Sequence, residues 1–365
     1  MTTRMSGRYP LSSEHAFAAL VLHQDYELVE PVDVDPGEVT DCDFTQVAEA
    51  TDFYAYDCNP VFTTSGEDWA PDIGSTAFNV TNVMGHPFYQ MWYVGNEGLD
   101  GTWGVGYAVS SNGTDWEPYS GNPLWTAPND QGWNHTNIDG LQVVWDPDVE
   151  TYMMLYQGYN IPKNVWLMGV STSVDGVSWD HYDPPDALSA DTWCWPLGLE
   201  LGPITGYSGY IAGNTGNNNQ GLPSCEVFQL DGGGPDNWQT SSVKVLGLGA
   251  QGQWDDSGVA SMDIAWLGDT AYLFYVGFGD WNNFGTYVSA KDVYLGWAVS
   301  KDGSNWEKAG TIPLNNPDRP GEVSAVNAHT VGKRIHIWLT DQYDEGTGVG
   351  LFLFDPTRVD EEEGE

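Results

Sequence analysis

One unit recurs along this chain and confines it to folds built by repetition. It reads GYAVSSNGTDW over Gly106–Trp116, GVSTSVDGVSW over Gly169–Trp179 and GWAVSKDGSNW over Gly296–Trp306. Each copy is an alternating strand, an Asn-Gly or Asp-Gly turn, and a Trp that opens the next strand. Asn, Asp and Gly tolerate positive φ, so the unit predicts a hairpin. Trp116 and Trp179 lie 63 residues apart, and Trp179 and Trp306 lie 127 apart, about twice that. A degenerate copy is therefore expected near residue 242, where DGGGPDNW (Asp231–Trp238) stands. Counting back from Trp116 by one interval reaches Phe53. There TDFYAYDCNPVF (Thr51–Phe62) aligns without a gap with TDWEPYSGNPLW (Thr114–Trp125).

A second signal runs in phase with the first. Trp69, Trp133 and Trp254 each precede an apolar strand and then an aromatic one: YQMWYVG (Tyr89–Gly95), YMMLYQG (Tyr152–Gly158) and YLFYVG (Tyr272–Gly277). The missing member falls where Trp193 and Trp195 stand. About four strands in roughly 60 residues is the size of a propeller blade. The expected fold is thus all-β, a five-bladed β-propeller of four-stranded antiparallel blades over residues 44–356. The first copy supplies only an outermost strand, and the last, Val323–Phe354, lacks one. Residues 53–57 are expected to complete the last blade and close the ring, which removes free sheet edges. Residues 1–43 read as an N-terminal extension with a short helix near Glu14–Leu22, and 357–365 as an acidic tail.

Charge narrows the partners. Eleven Lys and Arg against 52 Asp and Glu give a net charge of −41. Such a surface repels phosphate backbones and anionic lipid, which excludes nucleic acid and membrane surfaces as partners. No apolar run approaches the roughly 20 residues of a membrane span. Ala16–Leu22 is not followed by a small-residue cleavage site, so it is not read as a signal peptide. Eighteen Trp and 19 Tyr are too much packing material for a disordered chain. Acidic surfaces with few Lys also suit a saline environment, where salt relieves self-repulsion.

The cysteines are Cys42, Cys58, Cys194 and Cys225, with no CxxC spacing. The simplest pairing is Cys42–Cys58, bracing the seam, with Cys194–Cys225. That pairing implies an oxidising compartment, so a secreted, periplasmic or cell-surface protein. Four buried free thiols are the other reading.

The S-x-[DN]-G-x-x-W hairpins, the Asn-Pro pairs at Asn59 and Asn122, and the MWY-x-G strand resemble the five-bladed propeller glycoside hydrolases of families 43, 32 and 130 and their relatives. The resemblance implies a site at the axis, where the first strand of each blade begins. Successive blades would supply an Asp as base or nucleophile, an Asp that tunes pKa, and a Glu as general acid. The equivalent residues here are Asp72, Asp139 and Glu200. Glycosidic cleavage needs one carboxyl kept protonated and one kept ionised, and burial can separate their pKa values. The bland readings are a solvated loop carboxylate for Asp72, a turn-forming Asp-Gly for Asp139 and a rim residue for Glu200. The Asp-Pro and Glu-Cys-Pro signatures of the family are absent from these segments.

Substrate-binding candidates are Trp193 and Trp195, whose indole faces could stack on a sugar, with His135, His329 and Asp263 near strand starts. Related enzymes place a His at the axis, where it can help hold a water or a cation; satisfying core hydrogen bonds is the plainer role for His135 and His329. Trp69, Trp133 and Trp254 recur in register, as tryptophans filling gaps between blades would. Glu322 is a secondary, more structural candidate. No metal or cofactor motif is present. The expected partner is an oligo- or polysaccharide and the expected reaction is glycosidic hydrolysis. The rival is a non-catalytic propeller that binds glycans or protein. Sialidase chemistry is disfavoured, because Arg4, Arg8, Arg319, Arg334 and Arg358 all fall outside the candidate segments.

Overall fold

The computed structural model describes residues 42–48, 51–64, 67–83, 85–96, 103–127, 135–160, 165–183, 193–201, 207–217, 223–283, 288–312, 323–343 and 346–356. The extension before residue 42, its predicted helix, Trp133, Arg319, Glu322 and the acidic tail lie outside them. Among the described residues there are strands and turns and no helix.

The strands begin with β1 (Phe44–Gln46), β2 (Phe53–Tyr56) and β3 (Phe62–Thr63). The first meander is β4 (Asp72–Val83), β5 (His86–Asn96), β6 (Trp103–Ser110) and β7 (Glu117–Pro118), with β8 (Trp125–Ala127) also on β6. The second is β9 (His135–Asp146), β10 (Thr151–Asn160), β11 (Val165–Ser173) and β12 (Asp180–Tyr182). The third is β13 (Trp193–Leu201), β14 (Tyr207–Asn217), β15 (Pro223–Gly232) and β16 (Trp238–Leu246). The fourth is β17 (Gly258–Leu267), β18 (Thr270–Asn283), β19 (Val288–Ser300) and β20 (Glu307–Thr311), joined to the third through one parallel pair, Cys225 with Gly258. The last is β21 (Ala325–Val331), β22 (Arg334–Tyr343) and β23 (Gly346–Phe354). Its outer edge is covered by β2, with Phe53 opposite Phe354 and Ala55 opposite Phe352, and β1 pairs with β2. The predicted use of residues near 53–57 on the last sheet is therefore observed.

Each repeat hairpin has a physical cause. Ser110 Oγ accepts from Gly113 N at 2.8 Å, Asn112 Oδ1 accepts from Asp115 N at 2.9 Å, and Trp116 Nε1 donates to Gly113 O at 3.1 Å. Ser173, Asp175, Gly176 and Trp179 reproduce these bonds. Gly113, Gly176 and Gly303 carry φ of 83°, 76° and 72°, which the turn requires. The degenerate copy is also a hairpin: β15 ends at Gly232, β16 starts at Trp238, and Gly233 N donates to Asn237 O at 2.8 Å.

Cores lie between consecutive meanders. Met91 and Tyr93 of β5 pack with Trp338 and Leu351 of the last meander, whereas Trp92 and Val94 pack with Ile138 and Tyr152 of the second. Alternate residues of one strand thus enter different cores, which is why the middle strands read as unbroken apolar runs. Trp69 and Trp254 stack on Tyr93 and Tyr275 of their own meanders at 5.7 and 5.3 Å. The first strands are in contact in a cycle: β4 with β9, β9 with β13, β13 with β17, β17 with β21, and β21 with β4.

Cys42 and Cys58 form a disulfide with a Cα–Cα distance of 5.6 Å, flanking the β1–β2 hairpin. Cys225 is buried and disulfide-bonded. The side chain of Cys194, its expected partner, lies outside the described residues.

Candidate active site

Side chains stitch neighbouring first strands together. Between β4 and β9, Ser75 Oγ accepts from Leu141 N at 3.3 Å and also bonds the Asp139 carboxylate. Between β17 and β21, Ser261 Oγ accepts from Val326 N at 3.1 Å and Asp263 Oδ2 accepts from Ala328 N at 2.7 Å. Between β21 and β4, Asn327 Nδ2 donates to Thr76 O at 3.1 Å and His329 Nε2 donates to Phe78 O at 3.0 Å. These bonds fix how far along each strand a residue stands relative to its neighbours.

Asp72 is exposed at the start of β4, opposite Asn96, and its Oδ1 accepts from Thr347 Oγ1 at 3.2 Å. Asp139 is half-buried on β9. It is followed by Gly140 at φ 58°, in a β-bulge that shifts the register between Leu155 and Gln157 of β10. The Asp-Gly pair is thus a bulge inside a strand, where glycine supplies the positive φ, and not a chain turn. Removal from water pushes the Asp139 carboxyl above the ordinary carboxylate range, and bonds from Gly140 N at 2.8 Å and from Ser75 partly oppose this. Asp72 and Asp139 thus stand on adjacent first strands, Asp72 bonded to Thr347 of β23 and Asp139 to Ser75 of β4.

Asp263 and His329 stand further along their strands. The Asp263 carboxylate accepts from Ile264 N at 2.8 Å as well as from Ala328 N, and burial pushes it up to about 7. Burial depresses His329 to about 4. Both serve the β17–β21–β4 seams, the hydrogen-bonding role weighed for His329. Glu200 lies opposite Ser208 of β14. Two residues before it, a Cβ at Gly198 would lie 3.6 Å from Met262 O, so this part of β13 runs against β17. Trp193 and Trp195 pair with Gly213 and Ala212, and His135 with Asn160; the side chains of Glu200, Trp193, Trp195 and His135 lie outside the described residues.

Ser75, Asn327 and Thr347 escaped the sequence reading. Ser75 and Asn327 are buried polar residues inside otherwise apolar first strands, a signal that a partner waits across the seam. Among the described residues no group of three or more His, Cys, Asp and Glu is arranged to hold a metal ion. No described helix is long and apolar enough to cross a membrane.

Neither a protein-family model nor a curated protein sequence matches the chain. Solved structures match its fold. A glycosyl hydrolase from Bacteroides ovatus is 17% identical, with a TM-score of 0.56 over 80% of this chain and 86% of that one. A GH130-family protein, described with glycoside hydrolases that target β-1,2 mannosidic linkages in Candida mannan, gives 16% identity and a TM-score of 0.58. It covers 88% of this chain and 97% of its own. The Bombyx mori GH32 β-fructofuranosidase BmSUC1 gives 15% and 0.51 over 78% of this chain and 59% of that one. The fold is that of the β-propeller glycosidases. All three likenesses fall in the five-bladed superfamily that the repeat resembles.

Proposed function

We propose that the meanders are the five blades of a closed propeller, and that the end where the first strands begin is a carbohydrate site that hydrolyses a glycosidic bond. The β2–β23 pairing and the cycle of contacts among first strands support closure. The observation that carries the chemistry is the pair Asp72 and Asp139. One carboxylate is exposed and the other is desolvated, on the neighbouring first strands β4 and β9. Environments that differ in this way suit a base or nucleophile beside a proton holder. Asp72 would act as base or nucleophile, and Asp139 would hold the proton for the leaving oxygen. Family order gives that proton to Glu200 instead, and the variants below separate the two assignments. The Cys42–Cys58 disulfide and the glycan-acting neighbours support an extracellular or periplasmic oligo- or polysaccharide substrate.

The test is a screen of the purified chain on aryl glycosides and polysaccharides, followed by variants on the best substrate. Asp72→Asn and Asp139→Asn are each expected to lower kcat/KM by about 10²–10⁴-fold, with Glu200→Gln far milder. A loss with Glu200→Gln that equals the others would return the proton to Glu200. Activity near wild type in both aspartate variants overturns the reading. The missing Asp-Pro and Glu-Cys-Pro signatures favour a second reading, a propeller that binds glycans without cleaving them. Calorimetric binding of an oligosaccharide that is never turned over would establish it.

A further inference from the structure

The first and fourth meanders each set a carboxylate on a tyrosine hydroxyl beside a stacked tryptophan, from the residue after Trp254 in one and from two residues before Trp69 in the other. In the fourth, the Tyr275 hydroxyl, under Trp254, donates to Asp255 Oδ2 at 3.0 Å. Asp255 is 3% exposed, and the Lys308 ammonium from β20 meets its charge. That ammonium also lies 5.6 Å from the Tyr275 ring centroid. The first meander repeats the frame. Trp69 stacks on Tyr93, Tyr93 hydrogen-bonds Glu67, and the rings of Tyr93 and Tyr275 lie over Gly106 and Gly296, close to where a Cβ would be.

The third partner is different. Asn122 Nδ2 donates to the Tyr93 hydroxyl at 3.0 Å, and among the described residues no Lys or Arg pairs with Glu67. Glu67 Oε2 is enclosed and has no hydrogen-bond partner in the protein. The same holds for Thr64 Oγ1, on a residue 2% exposed. Glu67 N donates to Thr64 O at 3.0 Å, which ties the two residues into one turn. An enclosed carboxylate oxygen with neither donor nor counter-charge is strongly unfavourable. Two such oxygens in one turn point to a ligand that accepts oxygen lone pairs.

We propose that Glu67 and Thr64 bind a monovalent cation, Na⁺ or K⁺, serving Glu67 as the Lys308 ammonium serves Asp255. Hard cations take oxygen ligands, and one carboxylate with a neutral hydroxyl matches a single positive charge. The inference does not depend on the carbohydrate reading.

Thermal unfolding at fixed chloride concentration, with choline exchanged for Na⁺ or K⁺, tests it. The constant ionic strength keeps screening of the acidic surface equal. Wild-type Tm is expected to be a few degrees higher in one of the alkali chlorides, rising with concentration towards a logarithmic dependence. Glu67→Gln is expected to erase that difference. Thr64→Val, which keeps the carboxylate and the shape, is expected to move the half-effect to higher cation concentration. Equal Tm in all three chlorides overturns the proposal. So does a difference that survives in Glu67→Gln, or, should that variant not fold, an unchanged half-effect in Thr64→Val.

Discussion

The Asn59 carboxamide bonds both backbone groups of Leu351: Oδ1 accepts from Leu351 N at 2.7 Å, and Nδ2 donates to Leu351 O at 3.0 Å. Asn122, 63 residues on, does the same to Tyr107 at 2.9 and 3.0 Å. In both places the side chain stands in for a strand where the outer strand breaks, between β2 and β3 or between β7 and β8. The chain then resumes pairing, through Val61 N to Val349 O at 2.8 Å and Leu124 N to Val105 O at 2.7 Å.

Asn59→Ala removes two hydrogen bonds and leaves buried backbone groups without partners, at a cost of about 2–3 kcal/mol. Asn59→Asp keeps the acceptor and is expected to lose about half as much. Urea unfolding measures both. A loss in Asn59→Ala no larger than a surface substitution would show that the clamp adds nothing to the ladder around it.

The repeat made most of the fold legible. Asn-Gly and Asp-Gly turns depend on local φ, and the Asn59 and Asn122 clamps sit at one spacing because they solve one local problem twice. Gly106, Gly169 and Gly296 recur because a tyrosine ring lies over each. The candidate site was less legible. Asp72, Asp139 and Glu200 share an order along the sequence, but their levels depend on bulges in β4, β9 and β13 and on bonds across seams. Neither leaves a periodic trace. Glu67 was invisible for a related reason: its isolation becomes evident only when Lys308, remote in sequence, is seen to serve its counterpart.

The disulfide is expected to act through the unfolded chain. Cys42 and Cys58 are 16 residues apart, and closing such a loop stabilises by about 3 kcal/mol in the chain-entropy model. Phe53 packs against Phe354 at 4.9 Å and Phe274 at 6.3 Å, so β2 stays docked without the bridge. The double variant Cys42→Ser/Cys58→Ser should therefore show a lower urea midpoint. Its folded circular dichroism should not change. A loss of β-sheet signal in the native baseline would mean that the bridge holds β2 in place.

Salt should stabilise this protein. The net charge is −41, and the described ion pairs are Lys244–Glu226, Lys301–Asp269, Lys308–Asp255 and Arg334–Asp355. Screening weakens those few attractions but relieves far more repulsion, with the Debye length falling from ~10 Å at about 0.1 M to ~3 Å at about 1 M. Tm is expected to rise across that range in choline chloride as well as in NaCl. A fall would show that the ion pairs outweigh the self-repulsion.

Asp263 on one side and His329 and His336 on the other, all half-buried, oppose one another as pH changes. Asp263 is pushed up to about 7 from an ordinary value of 3.8, so between those limits the folded state binds a proton that the unfolded state has released. Its contribution to stability is present at low pH and falls as pH rises through that window. His329 and His336 are depressed to about 4 from 6.5, so the unfolded state binds their protons first. Their contribution is complete above about 6.5 and falls as pH drops towards 4. Asp263→Asn keeps an acceptor for Ala328 N while deleting the falling component. Its Tm should therefore climb more steeply with pH between about 4 and 7 than that of the wild type. His329→Gln removes one rising component, and its Tm should climb less. Parallel Tm profiles for all three proteins would mean that neither Asp263 nor His329 titrates in the folded state as its burial requires.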